Sequence, residues 1–339
     1  MEDAAADAVT GLLGVPHLRR LWLRTVGSGG RSEPVSAAEW AADRAVIYGL
    51  GLGLHETLAF LHSAAPSFTL FERWVLDRNG GAIEAARIGR LNSAVARARG
   101  EAPPLPGGLP ADFEPVFGER DLRCWEENGY VVLRDAVARE ACSDAERAIW
   151  DFLGMEPDVP ASWYDTRNCE GIFVPLVQHP AFARNRHSPR IRDAFAQLWG
   201  TEDLQVTVDR GGFNPPERSG WRFSGPGLHW DTSLILPIPM DIHGVLYLTD
   251  TPAQQGAFHC VPGFHRRIAG WLAGLPRGAD PRAEDLSAEA VRIGGRAGDM
   301  VIWHAALPHG ASANRGKRPR LVQYIAYRPP EVADDRPWR

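Results

Sequence analysis

Apolar side chains recur at helical spacing through the first hundred residues. Val46, Ile47, Leu50, Leu54, Leu58 and Leu61 form one stripe, and Phe71, Trp74, Val75 and Leu76 begin another. Ser36 followed by Glu39 has the form of a helix-capping box. The run Gly49-Leu50-Gly51-Leu52-Gly53 follows no strand and leads to no Gly-Lys-Ser/Thr, so it reads as close helix packing or a kink and not as a phosphate loop. Residues 101–118 are rich in proline and glycine and read as a linker. Beyond it the pattern predicts a helix over 119–128 stopped by Gly129, a strand over 130–134, a helix over 139–153, an irregular aromatic stretch over 154–189 and a helix over 190–199. Strands are then expected at 204–210, 228–234, 243–250, 257–261, 299–303 and 320–327, with a helical or irregular excursion at 264–290. Many short strands with glycine and proline between them suggest a two-sheet barrel or jelly roll. The expected organisation is a helical region over 1–100, the linker, a mainly β domain with helices (α+β) over 119–330, and a tail over 331–339.

Composition adds exclusions. The chain has 339 residues, is 44% hydrophobic and 23% charged, and carries a formal net charge of -5. That balance offers no basic face for phosphate neutralisation, so no nucleic-acid partner is expected. The four cysteines, Cys124, Cys142, Cys169 and Cys260, form no C-x-x-C pair and suggest neither a disulfide framework nor a thiolate zinc site. The opening residues lack the basic and apolar regions of a secretory signal, and no apolar run approaches the roughly 20 residues of a membrane span. A cytoplasmic protein without a membrane partner is the expectation.

Candidate chemistry centres on residues 227–234. His229 and Asp231 lie two apart in a stretch read as extended, where alternate side chains share a face. Two imidazoles and one carboxylate make the facial triad of non-heme iron(II) sites, which leaves positions open for other ligands. His309, in Leu307-Pro308-His309-Gly310 beyond the strand at 299–303, is the candidate third ligand. His259, His265 and His304 are read as structural or supporting. Arg320 follows His309 by eleven residues and opens an alternating strand, so its planar guanidinium can grip a carboxylate through two hydrogen bonds. Arg315, Lys317 and Arg318 read as a solvated turn.

Taken together, residues 125–133, His229-Trp230-Asp231, Gln255 through His265, and Gly298-Asp299 through His309 to Arg320 resemble the phytanoyl-CoA dioxygenase family. The resemblance covers roughly residues 119–328. It implies a double-stranded β-helix (jelly roll, cupin-like), iron(II) held by His229, Asp231 and His309, dioxygen, and 2-oxoglutarate whose distal carboxylate meets Arg320. It also makes Gln205 and Thr207 candidate cosubstrate contacts. The carboxylate Asp231 favours hydroxylation-type chemistry over halogenation, with desaturation and cyclisation open to the same oxidant. The family often places a hydroxyl two residues after the distal histidine; here Ala311 stands there, with Ser312 next to it. Trp221, Arg222 and Phe223, in a glycine-containing loop before the motif, are candidate contacts to a small-molecule substrate, free or carrier-bound. Two other readings remain open on the residues alone: a cupin-like binding protein without turnover, and a zinc hydrolase. The helical region can cap the pocket, dock a carrier or build an oligomer interface.

Overall fold

A computed structural model describes residues 11–27, 35–105, 107–223, 225, 227–330 and 336. The expected tail at 331–339 therefore lies outside the described residues except for Arg336. The chain divides into two compact units. The first is Met1–Pro110, Trp199–Val208 and Tyr327–Asp335; the second is Ala111–Leu198, Asp209–Ala326 and Arg336–Arg339.

Helices α1 (Pro16–Gly27), α2 (Ala37–Gly49), α3 (Leu54–Ala64), α4 (Phe68–Arg78) and α5 (Ala85–Ala98) form the first unit. The Ser36 hydroxyl accepts from Glu39 N at 3.2 Å, so the start of α2 is capped as the sequence predicts. Gly49 ends α2 where a Cβ would lie 2.5 Å from Leu91 Cδ1, and Gly51 takes a positive φ of 69°. The glycine run thus serves close packing and a turn. Leu18, Val46, Ile47, Leu61, Phe71 and Val75 build this core. At its edge, His17 is buried with Nε2 2.8 Å from Asp43 Oδ1, and Asp43 also pairs with Arg24.

The strands in chain order are β1 (Tyr130–Leu133), β2 (Phe173–Val174), β3 (Gln205–Val206), β4 (Gly211–Asn214), β5 (Ile242–Tyr247) and β6 (Phe258–Cys260). There follow β7 (Val291–Ile293), β8 (Met300–His304), β9 (His309–Ala311), β10 (Arg320–Tyr324) and β11 (Tyr327–Arg328). β3 and β11 pair with each other in the first unit, although the sequence pattern assigned both stretches to the β domain. The strand expected over 320–327 is broken after Tyr324, and its last part joins that separate ribbon.

The second unit contains two antiparallel sheets among the described residues. One has the order β1-β8-β5-β10-β4-β2, the other β7-β6-β9. β8 is buried along its length because it lies between β1 and β5, which explains its nearly continuous apolar run. Side chains of both sheets, including Tyr247, Phe258, Val301, Trp303 and Val322, meet in one core with Trp230. Helices α6 (Glu119–Asn128), α7 (Arg139–Leu153), α8 (Pro180–Arg186), α9 (Pro189–Trp199) and α10 (Phe264–Gly274) complete the regular elements named here. The expected strand over 228–234 is not a ladder strand. It holds a single antiparallel bridge, His229 with His309, because no neighbouring strand among the described residues runs along the rest of it. No helix among the described residues is long and apolar enough to cross a membrane.

Candidate metal centre

β9 is short but fixed on its inner edge. Its pairing with β6 sets Cys260 opposite His309 and Phe258 opposite Ala311, and the His309 side chain is only 4% exposed. The bridge at the other edge draws in the ligand loop: His229 N donates to His309 O at 2.9 Å, and His309 N donates to His229 O at 3.0 Å. Asp231, two residues on, returns to the same side. Its carboxylate lies 3.4 Å from His229 Nε2 and 3.2 Å from His309 Nε2. Trp230 between the ligands faces the other way. It is 3% exposed, donates its indole N–H to Ala306 O at 3.1 Å and packs against Phe264 and Trp271.

His229, Asp231 and His309 are the one group of this kind among the described residues, with donor atoms all within 4.8 Å of one another. Each imidazole has its Nδ1 at a backbone carbonyl, Gly227 O for His229 at 2.9 Å and Leu307 O for His309 at 3.0 Å. An Nδ1–H donated to a carbonyl makes Nε2 the nitrogen that would carry a metal once it gives up its proton, and both Nε2 atoms face Asp231. Burial opposes ionisation of Asp231, but hydrogen bonds from His229 and His309 outweigh it and hold the carboxyl far below its ordinary range. Burial lowers and Asp231 raises the pKa of His229, with the rise prevailing. An anionic carboxylate between two imidazole nitrogens is a donor set suited to a divalent cation, which would replace the bridging protons.

Arg320 begins β10, paired with Asn214 of β4. It is 2% exposed, and its Nε and Nη1 have no hydrogen-bond partner among the described residues. A buried guanidinium left so is costly until an anion meets it, so its unpaired N–H groups suit a carboxylate. Neighbouring hydroxyls are already engaged. Tyr247 donates to Ile293 O at 2.6 Å and accepts from Phe258 N at 3.0 Å, and burial pushes its pKa up to about 12 against the opposing charge of Arg320. Ser312 donates to Ala257 O at 2.9 Å, so it does not replace the hydroxyl that Ala311 lacks.

The other sequence candidates are more scattered. Gln205 lies on β3, opposite Arg328, and Thr207 is buried just after it; both belong to the first unit. Trp221 closes a tight bridge with Arg218, whose guanidinium lies 3.4 Å above the Tyr164 ring, and Trp221 meets the same ring edge-on at 5.6 Å. Phe223 N donates to Glu217 Oε1 at 3.3 Å, whereas Arg222 is exposed. His259 and His304 are both pushed down to about 4 by burial, as neutral structural imidazoles would be. Tyr164, Arg218 and Arg282 were not singled out by the sequence pattern.

Residues 125–322 match the family model for phytanoyl-CoA dioxygenase (PhyH), and that span contains the triad and Arg320. The chain belongs to the phytanoyl-CoA dioxygenase family. It is accordingly an iron(II)- and 2-oxoglutarate-dependent oxygenase. A Dictyostelium discoideum protein named for the same family is 23% identical over 253 residues, spanning 59% of this chain and 72% of the relative. An ectoine dioxygenase of Bordetella bronchiseptica is 22% identical over 270 residues, spanning 72% of this chain and 84% of the relative. A similar solved structure is the non-heme alpha-ketoglutarate-dependent epimerase SnoN of nogalamycin biosynthesis, 19% identical with a TM-score of 0.45, spanning 62% of this chain and 82% of that one.

Proposed function

We propose that His229, Asp231 and His309 hold iron(II), that Arg320 binds the distal carboxylate of 2-oxoglutarate, and that the enzyme hydroxylates an unactivated C–H bond of a small organic substrate. The scaffold in this reading is a double-stranded β-helix made by the two antiparallel sheets. The observation that carries it is the convergence of the three side chains within 4.8 Å. The bound metal and cosubstrate supply oxidising power, with 2-oxoglutarate decarboxylated to succinate and carbon dioxide as one oxygen atom enters the substrate. The protein's own residues orient and shield. Carbonyls of Gly227 and Leu307 fix the imidazole tautomers, Asp231 offsets one metal charge, and buried Arg320 sets which end of the cosubstrate enters first. The loop with Trp221, Arg222 and Phe223 is the proposed substrate contact, and ectoine, as the named substrate of a relative, is a reasonable first compound to assay.

The test is oxygen-dependent formation of succinate from 2-oxoglutarate by the iron(II)-supplemented protein. His229→Ala and Asp231→Ala should each reduce turnover by about 1,000-fold or more, since the metal's contribution is several kcal/mol. Full turnover in either variant would contradict the assignment, and zinc-dependent, oxygen-independent hydrolysis would replace it.

A further inference from the structure

Only part of the segment bearing His229 and Asp231 is held by a strand. His229 exchanges both backbone hydrogen bonds with His309. In antiparallel pairing such a residue directs its N–H and C=O toward the partner, and the residues on either side direct theirs to the opposite edge. The Trp230 carbonyl therefore lies on the edge away from β9, the chain bends over Asp231 and Thr232, and no strand among the described residues pairs with the carbonyls of Trp230 and Thr232. Both are taken by one side chain. Arg282 Nη1 donates to Trp230 O at 2.9 Å, and Nη2 donates to Thr232 O at 2.7 Å.

The spacing explains the choice of residue. The bend at Asp231 and Thr232 leaves the carbonyls of Trp230 and Thr232 both within reach of one guanidinium, which presents two N–H groups in a rigid plane. Arg282 is itself fixed at its backbone. It sits in the 3₁₀ turn Pro281–Ala283, Pro281 is buried, and Asp280 Oδ1 accepts from Arg282 N at 2.9 Å. Arg336 adds a bond to Thr232 Oγ1 at 3.2 Å and another to Ile235 O. The side chains of Trp230 and Thr232 are buried on one side of the segment, whereas that of Asp231 stays 47% exposed toward the site.

We propose that Arg282 is a positioning residue for the metal site: its guanidinium takes the place of a neighbouring strand along the open edge of residues 230–232 and so aims the Asp231 carboxylate. This rests on the reading of Asp231 as an iron ligand. It makes a prediction of definite sign. Arg282 is a cation near an anionic metal site, so if its charge alone mattered, removing it would tighten binding of a divalent cation. If it positions Asp231, removing it weakens binding.

Manganese(II) titration of the full chain, followed by the loss of the free-ion electron paramagnetic resonance signal, separates these cases without relying on turnover. Arg282→Ala should weaken manganese(II) affinity by about 10- to 100-fold, as loss of a group that orients a ligand does. Arg282→Lys keeps the charge but loses the planar fork, and should remain several-fold weaker than the parent. Millimolar guanidinium should restore much of the affinity of Arg282→Ala, and the metal-free variant should stay folded, its thermal midpoint falling by no more than the few degrees that two lost hydrogen bonds cost. Parental or tighter binding by Arg282→Ala overturns the proposal, as does a loss that guanidinium leaves untouched or that tracks general unfolding. Asp231→Ala is the control for the underlying reading. If it binds manganese(II) like the parent, the ligand assignment itself fails and the positioning role falls with it; if only Arg282→Ala does, the ligand assignment stands and the positioning role alone is wrong.

Discussion

His309 and Asp231 arrive at the same point by different means. His309 stands on β9, where pairing with β6 on one edge and the His229 bridge on the other fixes its backbone, and its side chain is nearly inaccessible. Asp231 stands in a segment with one bridge, held by arginine side chains and by the anchoring of Trp230. A sheet makes one ligand a consequence of the fold. The other ligand depends on particular side chains, and its geometry can be loosened without unfolding the protein.

The comparison is broken most sharply at Arg320, which like His309 sits on a strand paired within a sheet. Arg320→Met should raise the KM for 2-oxoglutarate by on the order of 30-fold or more, because truncating one partner of a buried charge pair costs at least about 2 kcal/mol. The same variant should leave the ligand-free thermal midpoint unchanged or higher, since two of the nitrogens it removes, Nε and Nη1, have no hydrogen-bond partner among the described residues. The KM for 2-oxoglutarate and calorimetric melting check both halves. A stability loss with normal cosubstrate affinity would make Arg320 structural.

A smaller effect is expected on the loosely held side. Trp230→Phe removes the donor to Ala306 O and should cost about 1 kcal/mol in urea unfolding. It should weaken manganese(II) binding less than Arg282→Ala does, because the backbone carbonyls stay clamped. Equal losses in the two variants would mean that core packing, not the arginine, sets the ligand.

A separate effect lies away from both ligands. Burial, with His265 nearby, pushes His304 down to about 4, while its Nδ1 accepts from Ala306 N at 2.9 Å. A histidine near 6.5 when unfolded then binds a proton more readily in the unfolded chain, so its contribution to stability is present above about pH 6.5 and is lost as pH falls toward about 4. His304→Gln should flatten the dependence of the urea midpoint on pH across that window. An unchanged slope would remove His304 from the account.

How legible each part was in the sequence follows the same division. His229, Asp231, His309 and Arg320 could be found because their types and intervals state their chemistry. Helix limits were readable where local signals act alone, as at Ser36 for α2 and Gly129 for the end of α6. Alternation correctly turns Trp230 away from the two ligands, but a ladder needs a neighbour, and nothing in residues 228–234 says whether one is present. Arg282 was invisible for the same reason. Its partners are backbone carbonyls some 50 residues away in sequence, which leave no mark in residue type. The buried His17 and Asp43 pair likewise joins two helices whose apolar stripes give no hint of it.

In the proposed function the triad binds the metal, and the metal, with Arg320, binds the cosubstrate. Anaerobic calorimetric titration of 2-oxoglutarate into the iron(II)-loaded protein tests it most directly. The parent should bind 2-oxoglutarate tightly with iron(II) and weakly without it, and Asp231→Ala should lose that metal dependence. Equal cosubstrate binding with and without iron(II), or in the parent and Asp231→Ala alike, would contradict it.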